Sequence, residues 1–163
     1  MEEDGHETPQ RQFEVPRGTR HSRVDDKGRL KLPAAIGQYL ESFGERRVFV
    51  TTLNTSTALI YPISVWTETE KMLQEPSDDA AAKADIAFIA NHYGEDVEID
   101  AQGRVLMPAL LRRELELEKD DVHLVCYKQR IEVLGSRIYG ERLTSAKTNL
   151  PEKLASLEKQ GLR

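Results

Sequence analysis

A stretch of thirteen residues occurs twice in this chain, and the repeat limits the folds that the chain can adopt. Residues 24–36 are VDDKGRLKLPAAI and residues 99–111 are IDAQGRVLMPALL. Asp, Gly, Arg, Pro and the first Ala recur at one constant offset of 75 positions, and the core positions between them stay apolar. A repeat of this kind predicts two similar structural units that share one core, because a single unit is too small to bury its own apolar face.

Each copy has the pattern of a tight turn between two strands. An apolar residue is followed by Asp, two further residues, Gly and then Arg at the head of an alternating segment, which predicts a β-hairpin. We expect Asp25 and Asp100 to accept hydrogen bonds from backbone amides of the turn. Gly28 and Gly103 are expected to take the positive φ that other residues avoid. These four residues are the predicted turn-organising residues.

The spacing that the two copies share also places an arginine four residues after each aspartate. Arg29 and Arg104 can therefore pair with the carboxylate of their own turn, which would hold each guanidinium in one orientation. A fixed guanidinium suits phosphate groups and guanine edges in the major groove of DNA. An internal Arg–Asp pair that only braces the turn has the same spacing, so spacing alone leaves both interpretations open.

The segments after each turn predict an α+β fold. Pro33 and Pro108 end the strand that returns from the turn and suit the first turn of a short helix. A second pair of strand-like segments follows each helix, so each half is predicted to be hairpin, helix, hairpin. We expect two pseudo-symmetric β-α-β halves that form a small double-hairpin barrel. The predicted organisation is a disordered extension at 1–14, a first half at 15–62, connecting helices at 63–94, a second half at 95–135 and a C-terminal helical segment at 136–163.

The two copies differ in charge. Residues 20–31 hold five cations and two carboxylates, a net charge of +3, whereas residues 95–106 hold four carboxylates and one cation, a net charge of −3. The whole chain has a net charge of −5, so a basic surface can only be local. We therefore predict that the first turn is the main DNA-binding surface, while the acidic surroundings of Arg104 favour a bracing role there. The candidate DNA-binding residues are Arg20, Arg23, Lys27, Arg29, Lys31 and Arg104.

The sequence offers little to support other kinds of site. His6, His21, His92 and His123 lack a metal-ligand spacing, and Cys126 is the only cysteine, so we expect no metal, no cofactor and no disulfide. No phosphate-binding glycine loop or nucleophile elbow occurs, so we expect no enzymatic activity. No apolar run has the length of a membrane span, and no secretory signal is recognisable at the start, so we expect a cytoplasmic location.

These motifs together carry a resemblance to a known family. Two Asp-x-x-Gly-Arg turns about 75 residues apart, each followed by a Pro and a short helix, with Leu-Ile-Tyr-Pro at 59–62, Trp66 and an early Arg17-Gly18, closely resemble the bacterial MraZ family. That family consists of tandem members of the AbrB-like (SpoVT-AbrB) swapped-hairpin superfamily. The likeness covers about residues 15–143.

The resemblance implies a function as well as a fold. It implies a sequence-specific, nucleoid-associated DNA-binding transcriptional regulator that acts on direct repeats in the promoter of the division and cell-wall gene cluster. It also implies a ring-shaped homo-oligomer, so that the expected partners are double-stranded DNA and further copies of the chain. The signature residues of the family correspond here to Asp25, Arg29, Asp100 and Arg104.

Two other interpretations stay open at this point. The chain could be an antidote-type swapped-hairpin protein that binds a toxin through its C-terminal segment, although such chains usually carry a single hairpin unit. It could instead be an assembly scaffold that never binds nucleic acid, with each Arg–Asp pair only bracing a turn. A salt-dependent shift of a direct-repeat promoter fragment would separate the scaffold from the DNA-binding proteins.

Overall fold

A computed structural model describes residues 14–118 and 120–163 of the chain. The predicted disordered extension therefore lies outside the described residues, apart from Glu14. The strands are β1 (Arg20–Arg23), β2 (Arg29–Lys31), β3 (Arg47–Thr51), β4 (Ala58–Pro62), β5 (Glu95–Glu98), β6 (Arg104–Leu106), β7 (Asp121–Tyr127) and β8 (Arg130–Gly135). The helices are α1 (Ala34–Glu41), α2 (Ile63–Gln74), α3 (Ala80–Tyr93), α4 (Ala109–Glu114), α5 (Ser136–Lys147) and α6 (Leu150–Glu158). The predicted α+β class is confirmed.

Six of the strands form one antiparallel sheet with the order β1-β7-β8-β4-β3-β5. The strand order reflects the sequence repeat. The strands β1 and β5 are 75 positions apart in sequence, and they form the two opposite edges of the sheet. The hairpins β3–β4 and β7–β8 were predicted from strand-like segments joined by turns and are present. They meet at the centre of the sheet, where β4 pairs with β8.

The strands that follow the two repeated turns form a separate two-stranded ribbon. In this ribbon β2 and β6 are antiparallel, and Leu30 lies opposite Val105 at its centre. Both side chains are fully buried. The two residues are equivalent in the repeat, so a pseudo-twofold axis passes between them. The ribbon is therefore built from both halves of the chain.

Two further backbone hydrogen bonds repeat this symmetry at the ends of the ribbon. The amide of Leu32 donates to the carbonyl of Gly103 over 2.9 Å, and the amide of Met107 donates to the carbonyl of Gly28 over the same distance. Each turn is thus bonded to the strand of the other half. Since every backbone polar group that is removed from water needs a partner, these bonds fix the position of both turns.

The expected first hairpin of each half and the expected barrel need correction. The arms of the first turn share a bridge at Val24 and Leu30 and then diverge, since β1 pairs with β7 while β2 pairs with β6. An isolated hairpin of this length is only marginally stable, and pairing across the two halves buries both Leu30 and Val105. The described strands do not close into a barrel, because β1 and β5 lie at opposite edges of an open sheet.

One continuous apolar core lies between the sheet, the ribbon and the two short helices. Ile36 of α1 and Leu111 of α4 are buried in it together with Leu30 and Val105 of the ribbon. Burial of an aliphatic side chain of this size stabilises a fold by about 1.5–3 kcal/mol. Both halves contribute to the same core, so the buried side of the ribbon packs against it.

The connecting helices α2 and α3 cover a smaller apolar cluster on the β3–β4 side. Trp66 stacks on Phe49 with 4.6 Å between ring centroids, and the hydroxyl of Thr51 donates to the carbonyl of Ala90 over 2.6 Å. These contacts attach both helices to the central sheet. Among the described residues, no helix has both the length and the apolar character that crossing a membrane requires.

Candidate nucleic-acid interface

The first repeated turn is organised by the carboxylate of Asp25. Its Oδ1 accepts hydrogen bonds from the backbone amides of Lys27 at 3.0 Å and Arg29 at 2.9 Å. The amide of Gly28 donates to the carbonyl of Asp25, and Gly28 has a φ of +82°. That conformation is strained for residues with a Cβ, which explains why Gly occupies the position.

The second turn reproduces this arrangement. Oδ1 of Asp100 accepts from the amides of Gln102 and Arg104, both at 2.9 Å, and Gly103 has a φ of +73°. The hydrogen bond from the backbone amide of the arginine lowers the pKa of Asp25 and of Asp100 below the ordinary value, although partial desolvation opposes the shift. Both carboxylates are therefore ionised at neutral pH.

Each carboxylate also holds the guanidinium of its own arginine. Nε of Arg29 donates to Oδ2 of Asp25 over 2.9 Å, and Nε of Arg104 donates to Oδ2 of Asp100 over 3.1 Å. The two arginine side chains are 30% and 29% exposed. Four of the five N–H donors of a guanidinium lie on its terminal nitrogens. Bracing the turn through Nε is thus compatible with binding a ligand through the terminal groups.

The register of the ribbon places both arginines on one face. Arg29 lies opposite Leu106, and Lys31 lies opposite Arg104. Successive side chains of a strand alternate between faces, so these four lie on the side opposite to the buried Leu30–Val105 pair. We call this surface, formed by Arg29, Lys31, Arg104 and Leu106, the ribbon face. A two-stranded ribbon has dimensions that fit the major groove of DNA.

Lys31 was grouped with the first turn in the net charge of residues 20–31, but the structure places it at the second turn. Its ammonium group donates a hydrogen bond to the carbonyl of Gln102 in the second turn. Lys31 is close to the first turn in sequence, but the pairing of β2 with β6 places its charge beside Arg104. The second end of the ribbon therefore carries two cations.

Three of the four carboxylates in residues 95–106 lie outside the ribbon, while Asp100 pairs with Arg104. Glu95, Asp96 and Glu98 belong to β5 at the edge of the large sheet, where Glu98 lies opposite Arg47 of β3. Sequence proximity to Arg104 therefore overstates their contribution to the ribbon face. The pair that braces the second turn, Arg104 with Asp100, is present, and contact between Arg104 and DNA stays a prediction.

The remaining candidate cations occupy two different places. Lys27 is exposed at the tip of the first turn, next to Gly28. Arg20 and Arg23 lie on β1, which pairs with β7 in the large sheet rather than with the ribbon. Arg20 is half-buried and lines a cavity of about 420 Å³ together with Tyr39 of α1.

One residue that the sequence pattern did not indicate, Arg112, contacts the first turn. Arg112 of α4 is 16% exposed, and its guanidinium lies against Gly28, where a Cβ would overlap it. Nε of Arg112 donates to the carbonyl of Met107 over 2.9 Å, and Nη1 lies 3.5 Å from Glu118. The equivalent position in the first copy is Gly37, so the repeat marks a difference there but not its spatial consequence.

Comparisons with known proteins point to one family. Residues 94–155 match the family model of the MraZ protein, whose description also likens it to antitoxins. A protein from Acidobacterium capsulatum is 39% identical over 106 residues, which cover 65% of this chain and 73% of that protein. Relatives from Koribacter versatilis and Thiobacillus denitrificans are 34% and 31% identical, and the alignments cover 80% and 86% of this chain and 88% and 94% of theirs.

All three relatives carry the name transcriptional regulator MraZ. The alignments extend over most of both chains, and the third spans 140 residues. The chain described here therefore belongs to the MraZ family.

Proposed function

We propose that this protein is a sequence-specific DNA-binding transcriptional regulator that contacts the major groove with the ribbon face. The observation that carries the proposal is the position of Arg29 and Arg104, which lie on one face of a single rigid ribbon, each held by the carboxylate of its turn. Guanidinium groups fixed in this way suit bidentate contacts to guanine and contacts to phosphate.

The proposal replaces the expected dominance of the first turn with a joint role for both turns. Lys31 supports this change, because its charge lies beside Arg104. Lys27 at the tip of the first turn is suited to a phosphate of the DNA backbone. Arg20 and Arg23 have a subordinate role in this proposal, since β1 belongs to the large sheet.

We further propose that several copies assemble into a ring of swapped-hairpin subunits and bind direct repeats in the promoter of the division and cell-wall gene cluster. A ribbon with few cations binds DNA weakly on its own, and the binding decreases steeply with salt. Ring assembly raises the effective concentration of each later contact when several ribbons meet regularly spaced repeats. Tight binding then needs no stronger single site.

Band-shift titrations of the DNA upstream of the gene test the proposal. Arg29→Ala and Arg104→Ala should each weaken binding by about fivefold or more, since one good arginine–base contact contributes about 1–3 kcal/mol. Arg137→Ala is the matched control, because Arg137 lies on α5 and is 65% exposed. Its replacement removes the same charge. The control should bind like the unmodified protein.

Two results would contradict the proposal. If the unmodified protein fails to shift the fragment at about 50 mM salt, where such contacts are strongest, then a scaffold function is favoured. If Arg104→Ala binds normally while Arg29→Ala does not, the joint role of the two turns is wrong and the first turn acts alone. Size-exclusion chromatography with light scattering tests the ring independently of DNA.

A further inference from the structure

The ribbon face contains an exposed aliphatic side chain among its cations. Leu106 is 50% exposed, whereas its neighbours Val105 and Met107 are fully buried. The other members of the ribbon face are Arg29, Lys31 and Arg104. Leu106 lies at one end of this charged surface, beside Arg29, where its exposed half can contact an apolar group of a bound ligand.

The major groove offers one such group on its base edges, the 5-methyl group of thymine. We propose that Leu106 packs against a thymine methyl beside the bases that Arg29 contacts. Leu106 lies directly opposite Arg29, and side chains at opposite positions of an antiparallel pair have their Cβ atoms about 4.5–5.5 Å apart. One guanidinium and one aliphatic group can thus face neighbouring base pairs. This inference rests on the proposed function, since it names what the ribbon face recognises.

The other end of the ribbon has different chemistry. The residue equivalent to Leu106 is Lys31, whose ammonium group donates to the carbonyl of Gln102. One end therefore presents an arginine with an aliphatic group, and the other end presents an arginine with a second cation. The backbone of the ribbon is nearly twofold symmetric, but its contact surface is not. A surface of this kind binds a non-palindromic element in a single orientation, and a series of direct repeats consists of such elements.

Replacement of thymine by uracil tests the inference because it removes only the methyl group. A fragment of the DNA upstream of the gene is amplified once with dTTP and once with dUTP, and both affinities are measured by fluorescence anisotropy. The unmodified protein should bind the uracil fragment at least about fourfold more weakly, since about 0.8 kcal/mol is lost per buried methyl-sized group. Leu106→Ala should bind both fragments about equally.

Two variants complete the design. Leu110→Ala removes a comparably exposed leucine on α4, outside the ribbon face, and should keep the preference for thymine. Leu106→Met retains an apolar side chain and should keep most of that preference. This variant also shows whether any loss in Leu106→Ala comes from the missing contact rather than from damage to the ribbon.

The outcomes separate this inference from the proposed function. Equal binding of both fragments by the unmodified protein would overturn the role of Leu106 and leave the proposed function intact. An unchanged preference in Leu106→Ala, together with an altered elution volume, would assign Leu106 to a contact between copies instead. If neither fragment binds, the proposed function fails and the inference fails with it.

Discussion

Lys31 lies directly opposite Arg104 in the β2–β6 ribbon, on the same outer face. Like charges at opposite positions of an antiparallel pair are destabilising, because their side chains approach closely. Asp100 neutralises part of the charge of Arg104, and Lys31 adds a further positive charge, so this end of the ribbon keeps a net positive charge that an anion can bind. A phosphate of the DNA backbone placed between the two cations would provide that anion.

Lys31→Gln is expected to separate DNA affinity from stability. Glutamine keeps an N–H donor for the carbonyl of Gln102 but removes the charge opposite Arg104. The thermal unfolding temperature should stay the same or rise. The DNA affinity should fall, and the slope of log affinity against log salt should decrease in magnitude by about one per bound subunit. Anisotropy titrations between about 50 and 200 mM salt measure the slope.

The control for this prediction is Lys153→Gln in α6. Lys153 is exposed, as are all residues of α6. This helix lies outside the ribbon. Its replacement should leave the salt slope unchanged. A slope change of equal size in both variants would mean that the effect reflects overall charge rather than the position of Lys31.

The two turn glycines should respond unequally to alanine. Both have a positive φ, so each replacement should cost about 1–2 kcal/mol of the free energy of unfolding. A Cβ at Gly28 would also overlap the guanidinium of Arg112, whereas a Cβ at Gly103 meets only the end of Lys31 at 3.4 Å. Gly28→Ala should therefore be the more destabilising of the two in urea denaturation.

The cause of this difference can be checked in a second background. With Arg112→Ala present, the overlap at position 28 disappears while the backbone strain remains. The costs of Gly28→Ala and Gly103→Ala should then become nearly equal. If Gly28→Ala stays more destabilising without the arginine, the packing of Arg112 is not the reason.

The local features of this fold were predictable because they depend on neighbouring residues. The aspartate that accepts amides of its own turn and the glycine with positive φ act within five positions of the chain. The strand-like apolar segments and the turns between them likewise predicted the hairpins β3–β4 and β7–β8 correctly. Such interactions leave a direct pattern in the sequence.

The partner of each short strand was not predictable in the same way. Whether Leu30 pairs within its own turn or with Val105 of the other half depends on which arrangement buries more apolar surface, and the sequence pattern fits both. The pairing decides that Lys31 lies beside Arg104 and that Leu106 lies opposite Arg29. The net charges of residues 20–31 and 95–106 therefore combine residues that are adjacent in sequence but not in space.

The turn carboxylates should make the free energy of unfolding depend on pH in the acidic range. The hydrogen bond from the amide of Arg29 lowers the pKa of Asp25 below its ordinary value of 3.8. A lowered pKa in the folded state stabilises the fold above 3.8, and this stabilisation is lost as the pH falls through the lowered value. Asp25→Asn should therefore be less stable than the unmodified protein at pH 7 and at pH 5, and the gap should narrow below pH 3.8.

Urea midpoints at several pH values measure this gap. Asp26→Asn is the matched control, since Asp26 is the exposed neighbour in the same turn. Its midpoint should follow that of the unmodified protein throughout. A gap for Asp25→Asn that stays constant down to pH 3 would show that the carboxylate acts through shape rather than charge.

A histidine pair on the large sheet should add a second pH dependence near neutrality. His123 lies opposite His21, with 4.6 Å between ring centroids, and stacks on Tyr139 at 3.7 Å. Burial and, to a lesser degree, His21 lower the pKa of His123 below 6.5, although Asp120 and Asp121 oppose the shift. A lowered pKa means that stability is complete above pH 6.5 and decreases as the pH falls towards 5.

His123→Phe keeps the stacking and removes the titration, so its urea midpoint should change less between pH 7 and pH 5. An equal decrease in both proteins would exclude His123 as the cause.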